Sequence, residues 1–332
     1  GDDSVEISDK EFKQWSRIGS RAAFGIAALE LGATVDDLII LSGDTSTSAG
    51  LERFKKTYPE KFQDIGIAEQ NMMGIAAGLA SEGETVYTAT FAPFQTMRCC
   101  EQIKVNLGYM NHKVCFVGLA SGLVLGNLGY THCCIEDLAV MRSIPNITVI
   151  SPADCGETVK AALAAAEYES SVYIRLTGEA KNPAVYKTDY DFEIGKAITL
   201  REGEDITIIA GGTMVYKSLE AAEILSESGL SVAVVNMHTV KPLDTAVIDI
   251  ACETTKLVVT IEEHSVIGGL GSAVAEHKST LVNAPPQFTI GIPDTYSKAG
   301  EYADLLQTYG LTSKQIAENI ASQYENLILV AI

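Results

Sequence analysis

The sequence predicts two consecutive three-layer α/β domains with mostly parallel sheets. Short β-branched runs alternate with helical stretches from Trp15 to Leu176. That alternation is the pattern of parallel strands joined through crossover helices. It breaks over residues 179–193, where Asn182-Pro183 and tyrosines show no clear period. It then resumes from Ile206 to Glu276. The boundaries expected are an extension over 1–14, a first domain over 15–178, a linker over 179–193 and a second domain over 194–326.

The elements follow in order. Residues 1–14 are polar and acidic, and fraying is expected there. Trp15 to Leu31 places Ile18, Ala22, Ile26 and Leu29 on one helical face, with Gly32 as the expected C-cap. Leu38 to Ser42 reads as a buried strand. It runs into the polar loop Gly43-Asp44-Thr45-Ser46-Thr47-Ser48. Ligands of open α/β sheets gather at such carboxyl ends. Arg98 to Leu107 reads as a helix, Val114 to Leu119 as a strand, and Ser121 to Tyr130 as a glycine-rich loop. Glu136 to Ser143 and Gly156 to Glu167 read as helices, and Ile147 to Ser151 and Val172 to Leu176 as strands. In the second half, strands are expected at Ile206–Ala210, Ser231–Asn236 and Leu257–Ile261, and helices at Met214–Ser228 and Thr245–Thr254. Gly268-Gly269-Leu270-Gly271 opens a further helix. It lacks the GxGxxG spacing of a dinucleotide fingerprint, so its glycines are read as allowing a helix to pack on a strand.

Bulk properties narrow the function. A chain of 332 residues that is 47% hydrophobic and 20% charged can build two cores. A net charge of −19 argues against unaided binding to nucleic acid or anionic membranes. There is no run of eighteen apolar residues and no basic, then apolar, opening, so a cytoplasmic protein is expected. The seven cysteines include Cys99-Cys100 and Cys133-Cys134, neither in CxxC spacing, and are expected as reduced thiols. His132 before Cys133-Cys134 leaves a reactive or metal-binding cluster open.

The stretch Asp64 to Phe94 is the candidate centre. A short strand enters a turn at Phe62 to Ala68, and Glu69 opens an apolar helix containing Met72, Met73, Ile75 and Leu79. Gly74 and Gly78 are read as allowing a neighbouring backbone to approach. A second strand, Glu84 to Thr90, ends in Phe91 and Phe94. Burial penalises a charged carboxylate at the mouth of such a helix. The residues alone leave two readings of Glu69: a carboxylate satisfied by helix N–H groups, or one held for a specific partner.

IAEQNMMGIAAGLA followed by TFAPF, then GYTH at Gly129 to His132 and EDLAVMRSIPN at Glu136 to Asn146, resembles the pyrimidine-binding domain of transketolases. VKPLD at Val240 to Asp244 and EEHSVIGGLGSAVAE at Glu262 to Glu276 resemble the family's C-terminal domain. The resemblance covers nearly the whole chain. It implies that Glu69 hydrogen-bonds the aminopyrimidine of thiamine diphosphate and promotes the tautomer that activates the thiazolium carbon. Phe94 would stack on that ring, with Phe91 close by. His132 would move protons at the substrate, and Arg21, Ser48 and Asp44 would line the substrate or cofactor entrance.

The family holds the diphosphate through Mg²⁺ on a Gly-Asp-Gly that precedes an Asn. Here Gly43-Asp44-Thr45 lacks the second glycine, and Asn71 shares the helix of Glu69, so no metal site is assigned to this chain. The resemblance therefore implies half of a split enzyme. An N-terminal subunit carrying GDG…N would hold Mg²⁺ and diphosphate, in an α2β2 assembly. The implied reaction transfers a two-carbon ketol unit from a ketose or hydroxyketone to an aldehyde. Two other readings are a β-subunit of a 2-oxo acid dehydrogenase and a non-catalytic partner that keeps the fold.

The chain also departs from the family pattern. Leu128 stands at the Asp that reads a sugar hydroxyl, and Ala120 at an upstream substrate histidine. The second phosphate-binding arginine falls at Thr177-Gly178, with Arg175 as a possible substitute. Fewer polar contacts imply a smaller or unphosphorylated substrate and poor use of xylulose 5-phosphate.

Overall fold

A computed structural model describes residues 8–15 and 17–330. Residues 1–7 of the expected extension lie outside the described residues, whereas Asp9–Trp15 forms a helix. The strands, in chain order, are β1 Leu38–Ser42, β2 Phe62–Asp64, β3 Thr85–Phe91, β4 Val114–Leu119, β5 Ile147–Ile150 and β6 Ser171–Arg175. The second half supplies β7 Ile198–Arg201, β8 Ile206–Ala210, β9 Val232–Asn236, β10 Thr239–Lys241, β11 Leu257–Ser265 and β12 Gln287–Ile292. They form two sheets, ordered β10-β5-β6-β4-β3-β1-β2 and β12-β11-β8-β9-β7. Pairing is parallel except at β10 with β5 and β7 with β9. The first sheet thus takes its edge strand, β10, from the second half of the chain.

The central strands are apolar throughout because helices cover both faces. In β4 successive side chains serve opposite cores. Cys115, Val117 and Leu119 pack with Phe24 and Leu31 of helix Ser20–Thr34 and with Val159 of helix Cys155–Glu167. Val114 and Phe116 pack with Met72, Met73 and Ala76 of helix Glu69–Ser81. The second sheet has its own two cores, one including Ile208 and Val259 and the other Ile209 and Val258.

Several local expectations change. The helix expected over Trp15 to Leu31 begins at Ser20, after Gly19 at φ 84°, and runs through Gly32 to Thr34. Gly32 is therefore not the C-cap. A Cβ there would meet the Tyr58 ring at 2.5 Å, so the glycine serves close packing. Gly74 and Gly78 do not receive a neighbouring backbone, since a Cβ at either would meet nothing within 4 Å. The helix expected from Arg98 is a short turn, Cys100–Gln102, continued by a π-helix, Ile103–Tyr109. No helix among the described residues is long and apolar enough to cross a membrane.

Candidate active site

The carboxyl ends of β1, β3 and β4 open on one side of the first sheet, where Glu69 begins its helix. Two turns hold this edge together. The Asp64 carboxylate accepts from the N–H of Gly66 at 2.7 Å and of Asp44 at 3.1 Å. Ile65 donates its N–H to the Ser42 carbonyl at 2.8 Å. Asp44 adopts φ 60°, a left-handed conformation that Asp tolerates better than most residues. These bonds bring the β1 loop against the turn that delivers Glu69.

Glu69 is 4% exposed and pairs with Arg98, Oε2 to Nη1 at 3.0 Å. The same guanidinium lies 4.2 Å from the centre of the Phe94 ring. His132 meets Phe94 edge-on with centres 5.4 Å apart, and Phe91 meets it at 88° with centres 6.5 Å apart. Glu69, Phe94, Phe91 and His132 therefore share one site. Arg98 was missed by the sequence reading, although it lies only four residues beyond Phe94 on the turn after β3. Thr90 adds a buried hydroxyl with no hydrogen-bond partner among the described residues. A Cβ built on Gly43 would lie 3.7 Å from both this hydroxyl and Glu69 Cγ, so the two border the same space.

Arg21 and Ser48 are half-buried at the neighbouring rim. Arg21 sits in the first turn of helix Ser20–Thr34, which packs so tightly on the β1 loop that a Cβ at Gly50 would meet the Arg21 carbonyl at 2.8 Å. Among the described residues, no hydrogen bond or ion pair joins either side chain to Glu69 or His132.

Residues 16–181 match the family described as transketolase, pyrimidine binding domain, and residues 195–316 match transketolase, C-terminal domain. A putative transketolase C-terminal section from Methanocaldococcus jannaschii is 39% identical, over 92% of this chain and 96% of that protein. The chain belongs to the transketolase family. A further relative at 38% identity is a subunit of an apulose-4-phosphate transketolase from Phocaeicola vulgatus, with 91% of this chain and 96% of that one covered. A solved structure described as a split gene transketolase, inactive beta4 tetramer, superposes with TM-score 0.85 at 40% identity, covering 92% of this chain and 98% of that one.

Within this transketolase-family chain, the loop that carries His132 rests on the second domain. Glu263, at the carboxyl end of β11, accepts from the Leu123 N–H at 2.8 Å and from the Tyr302 hydroxyl at 2.6 Å. Gly122 has φ 68°, and a Cβ there would meet Glu263 Oε1 at 2.2 Å, so glycine is required twice over. Tyr130 bonds Ser297 at 2.8 Å and also Tyr309. His132 hydrogen-bonds the Thr131 hydroxyl through Nδ1 at 2.9 Å.

Arg175 does not substitute for a phosphate-binding arginine. It is 2% exposed and donates to Asp137, at 2.9 and 3.0 Å, and to the Cys134 and Glu263 carbonyls. Burial raises Asp137, but the Arg175 charge, with hydrogen bonds from Tyr173 and Ser121, outweighs it and holds this carboxyl below the usual range. Cys133 and Cys134 are buried, and burial pushes the Cys133 thiol up to about 11, which leaves no reactive thiolate there. Among the described residues no three His, Cys, Asp and Glu side chains converge to hold a metal. Gly268 to Gly271 bind no dinucleotide in this arrangement. Glu262 already accepts the Leu270 and Gly271 N–H groups at 2.6 and 3.0 Å, filling the anion seat of that helix.

Proposed function

We propose that this chain is the C-terminal, pyrimidine-side subunit of a split, thiamine diphosphate-dependent transketolase-like transferase. The observation that carries the reading is the convergence of Glu69, Phe94 and His132 at the carboxyl ends of the first sheet. The residues fit the cofactor's ring: a buried carboxylate, an aromatic wall and an orphaned hydroxyl at Thr90 border one space. Thiamine diphosphate, when bound, supplies the electron sink for breaking the bond next to a ketose carbonyl.

This chain's residues supply position and proton movement. Glu69 holds and returns a proton at the aminopyrimidine ring nitrogen. Phe94 and Phe91 form its apolar wall, and Asp44 stands at the cofactor entrance. His132 moves a proton at the substrate oxygen, while Arg21 and Ser48 orient the rest of the donor. Diphosphate and Mg²⁺ belong to an N-terminal partner carrying GDG…N, in an α2β2 assembly in the cytoplasm. Two relatives are named as subunits of an apulose-4-phosphate transketolase and of a 6-deoxy-6-sulfo-D-fructose transketolase, which supports a two-subunit ketol transferase. These names favour it over a 2-oxo acid dehydrogenase. Leu128 is exposed and its side chain offers no hydrogen bond, so the donor lacks a side-chain contact to a hydroxyl there.

The test is titration calorimetry with thiamine diphosphate and Mg²⁺. The chain alone should bind weakly, and a mixture with a chain carrying GDG…N should bind tightly. Tight, Mg²⁺-dependent binding by the chain alone would overturn the split assignment.

A further inference from the structure

The cofactor reading uses two features of this chain, the Glu69 carboxylate and the face of Phe94. A single side chain engages both. Arg98 Nη1 is 3.0 Å from Glu69 Oε2, and its guanidinium carbon is 4.2 Å from the Phe94 centre. We propose that Arg98 competes with the cofactor's aminopyrimidine for this seat and must swing out before the ring can enter. The inference rests on the cofactor reading above.

The geometry explains the competition. At 4.2 Å the guanidinium lies at stacking distance on Phe94, so a second planar group cannot share that face. His132 and Phe91 both approach Phe94 edge-on and leave the stacking role to Arg98. The carboxylate is contested in the same way. Glu69 has one ion-pair partner among the described residues, and the guanidinium bonded to Oε2 stands on the side of Phe94 from which a ring would reach the carboxylate.

The exit is also built in. The Arg98 side chain is 44% exposed, and among the described residues its guanidinium has this single hydrogen bond. Gln70 Nε2 holds the Arg98 carbonyl at 3.1 Å, so the backbone stays fixed while the side chain turns toward solvent. A partly exposed ion pair and one cation–π contact are each weak. Arg98 therefore lowers cofactor affinity without blocking it. In exchange it keeps a buried carboxylate paired, which would otherwise be costly.

The experiment is calorimetry of thiamine diphosphate with Mg²⁺ on the two-subunit complex, comparing wild type, Arg98→Met and Arg98→Lys. The Met variant keeps the apolar stem and removes the charge and the plane, and should bind about tenfold tighter. Lys keeps the charge but not the planar stack, and should bind about threefold tighter. Unchanged or weaker binding in both variants, with normal wild-type binding, overturns the inference alone and makes Arg98 a cofactor ligand or a bystander. If no form of the complex binds thiamine diphosphate, the cofactor reading falls and takes this inference with it. If Arg98→Met does not assemble, Arg98→Lys decides by the same criterion.

Discussion

Two carboxylate–arginine pairs in this chain behave as opposites. Glu69–Arg98 lies at the mouth of the site, with one side chain 4% and the other 44% exposed. Asp137–Arg175 lies in the seam between the domains, at 0% and 2%. Among the described residues the first is a single hydrogen bond. In the second, Asp137 also accepts from Ser121 at 2.7 Å and from Tyr173, while Arg175 reaches two backbone carbonyls. An ion pair with spare hydrogen-bonding capacity and an exposed partner can be exchanged for a ligand. A pair whose carboxylate oxygens are both bonded and whose guanidinium is tied to two backbone carbonyls, out of water, cannot open without unfolding its surroundings. The same chemistry is thus used once for exchange and once for construction.

The comparison can be broken at either pair. At the open pair the largest effect is expected on catalysis. Glu69→Gln keeps the shape but cannot move a proton, and should lower turnover by about a hundred- to ten-thousand-fold. Its unfolding midpoint and its assembly with the partner should change little. Hydrogen–deuterium exchange at C2 of the bound cofactor is the direct measure, and exchange at the wild-type rate would make Glu69 structural.

At the closed pair the expected effect is on stability. Arg175→Met leaves Asp137 buried and unpaired, a loss of about 3–5 kcal/mol. Urea unfolding of the chain measures it. A loss no larger than that of Arg98→Met would erase the distinction between the two pairs.

A smaller, pH-dependent effect sharpens the picture of the closed seam. His264 accepts from the Ala139 N–H through Nε2 and bonds the Ser265 carbonyl through Nδ1, so it is held neutral. Burial, and then the charge of Arg175, pushes its pKa down to about 4. Between about pH 4 and 6.5 the unfolded chain binds this proton and the folded chain does not, so the His264 contribution to stability rises with pH there. His238, also lowered to about 4 by burial, acts the same way. Asp154 and Glu262, raised by burial to about 6 and about 7, act oppositely, because the folded state binds their protons more readily. His264→Asn removes one rising component only. Its destabilisation should be smaller at pH 4.5 than at pH 7.5 by about 2 kcal/mol. Urea unfolding at the two pH values checks this, and equal destabilisation would mean that His264 titrates normally.

Much of this was legible in the sequence, and what was not shares a cause. Strand runs such as Val114–Leu119 and helix Glu69–Ser81 declare themselves by composition and period, because burial on two faces demands apolar residues throughout. Glu69, Phe91, Phe94 and His132 could be named from short motifs: Glu69 begins a helix, Phe91 ends β3, Phe94 follows it within four residues, and His132 closes the loop motif GYTH. Arg98 could not be read as their neighbour. Its contact with Glu69 joins residues 29 apart, and the turn that brings it back depends on how β3 meets the helix before it. The polar face of an amphipathic stretch says only that a charge tolerates water, not what it will touch.

The sequence by itself therefore determined the alternation of strand and helix, the apolar cores and the family. These rest on local period and on short motifs, whose physics is contained within a few residues. The tertiary structure decided the rest. It sent β10 from the second half into the first sheet, placed Arg175 on Asp137 instead of at the substrate, and set Glu263 beneath the loop of His132. Each of these joins parts of the chain far apart in sequence, Leu123 and Glu263 being 140 residues apart. Such partners are chosen by the packing of whole domains, because a buried polar group must find its hydrogen bond wherever the fold brings one within reach.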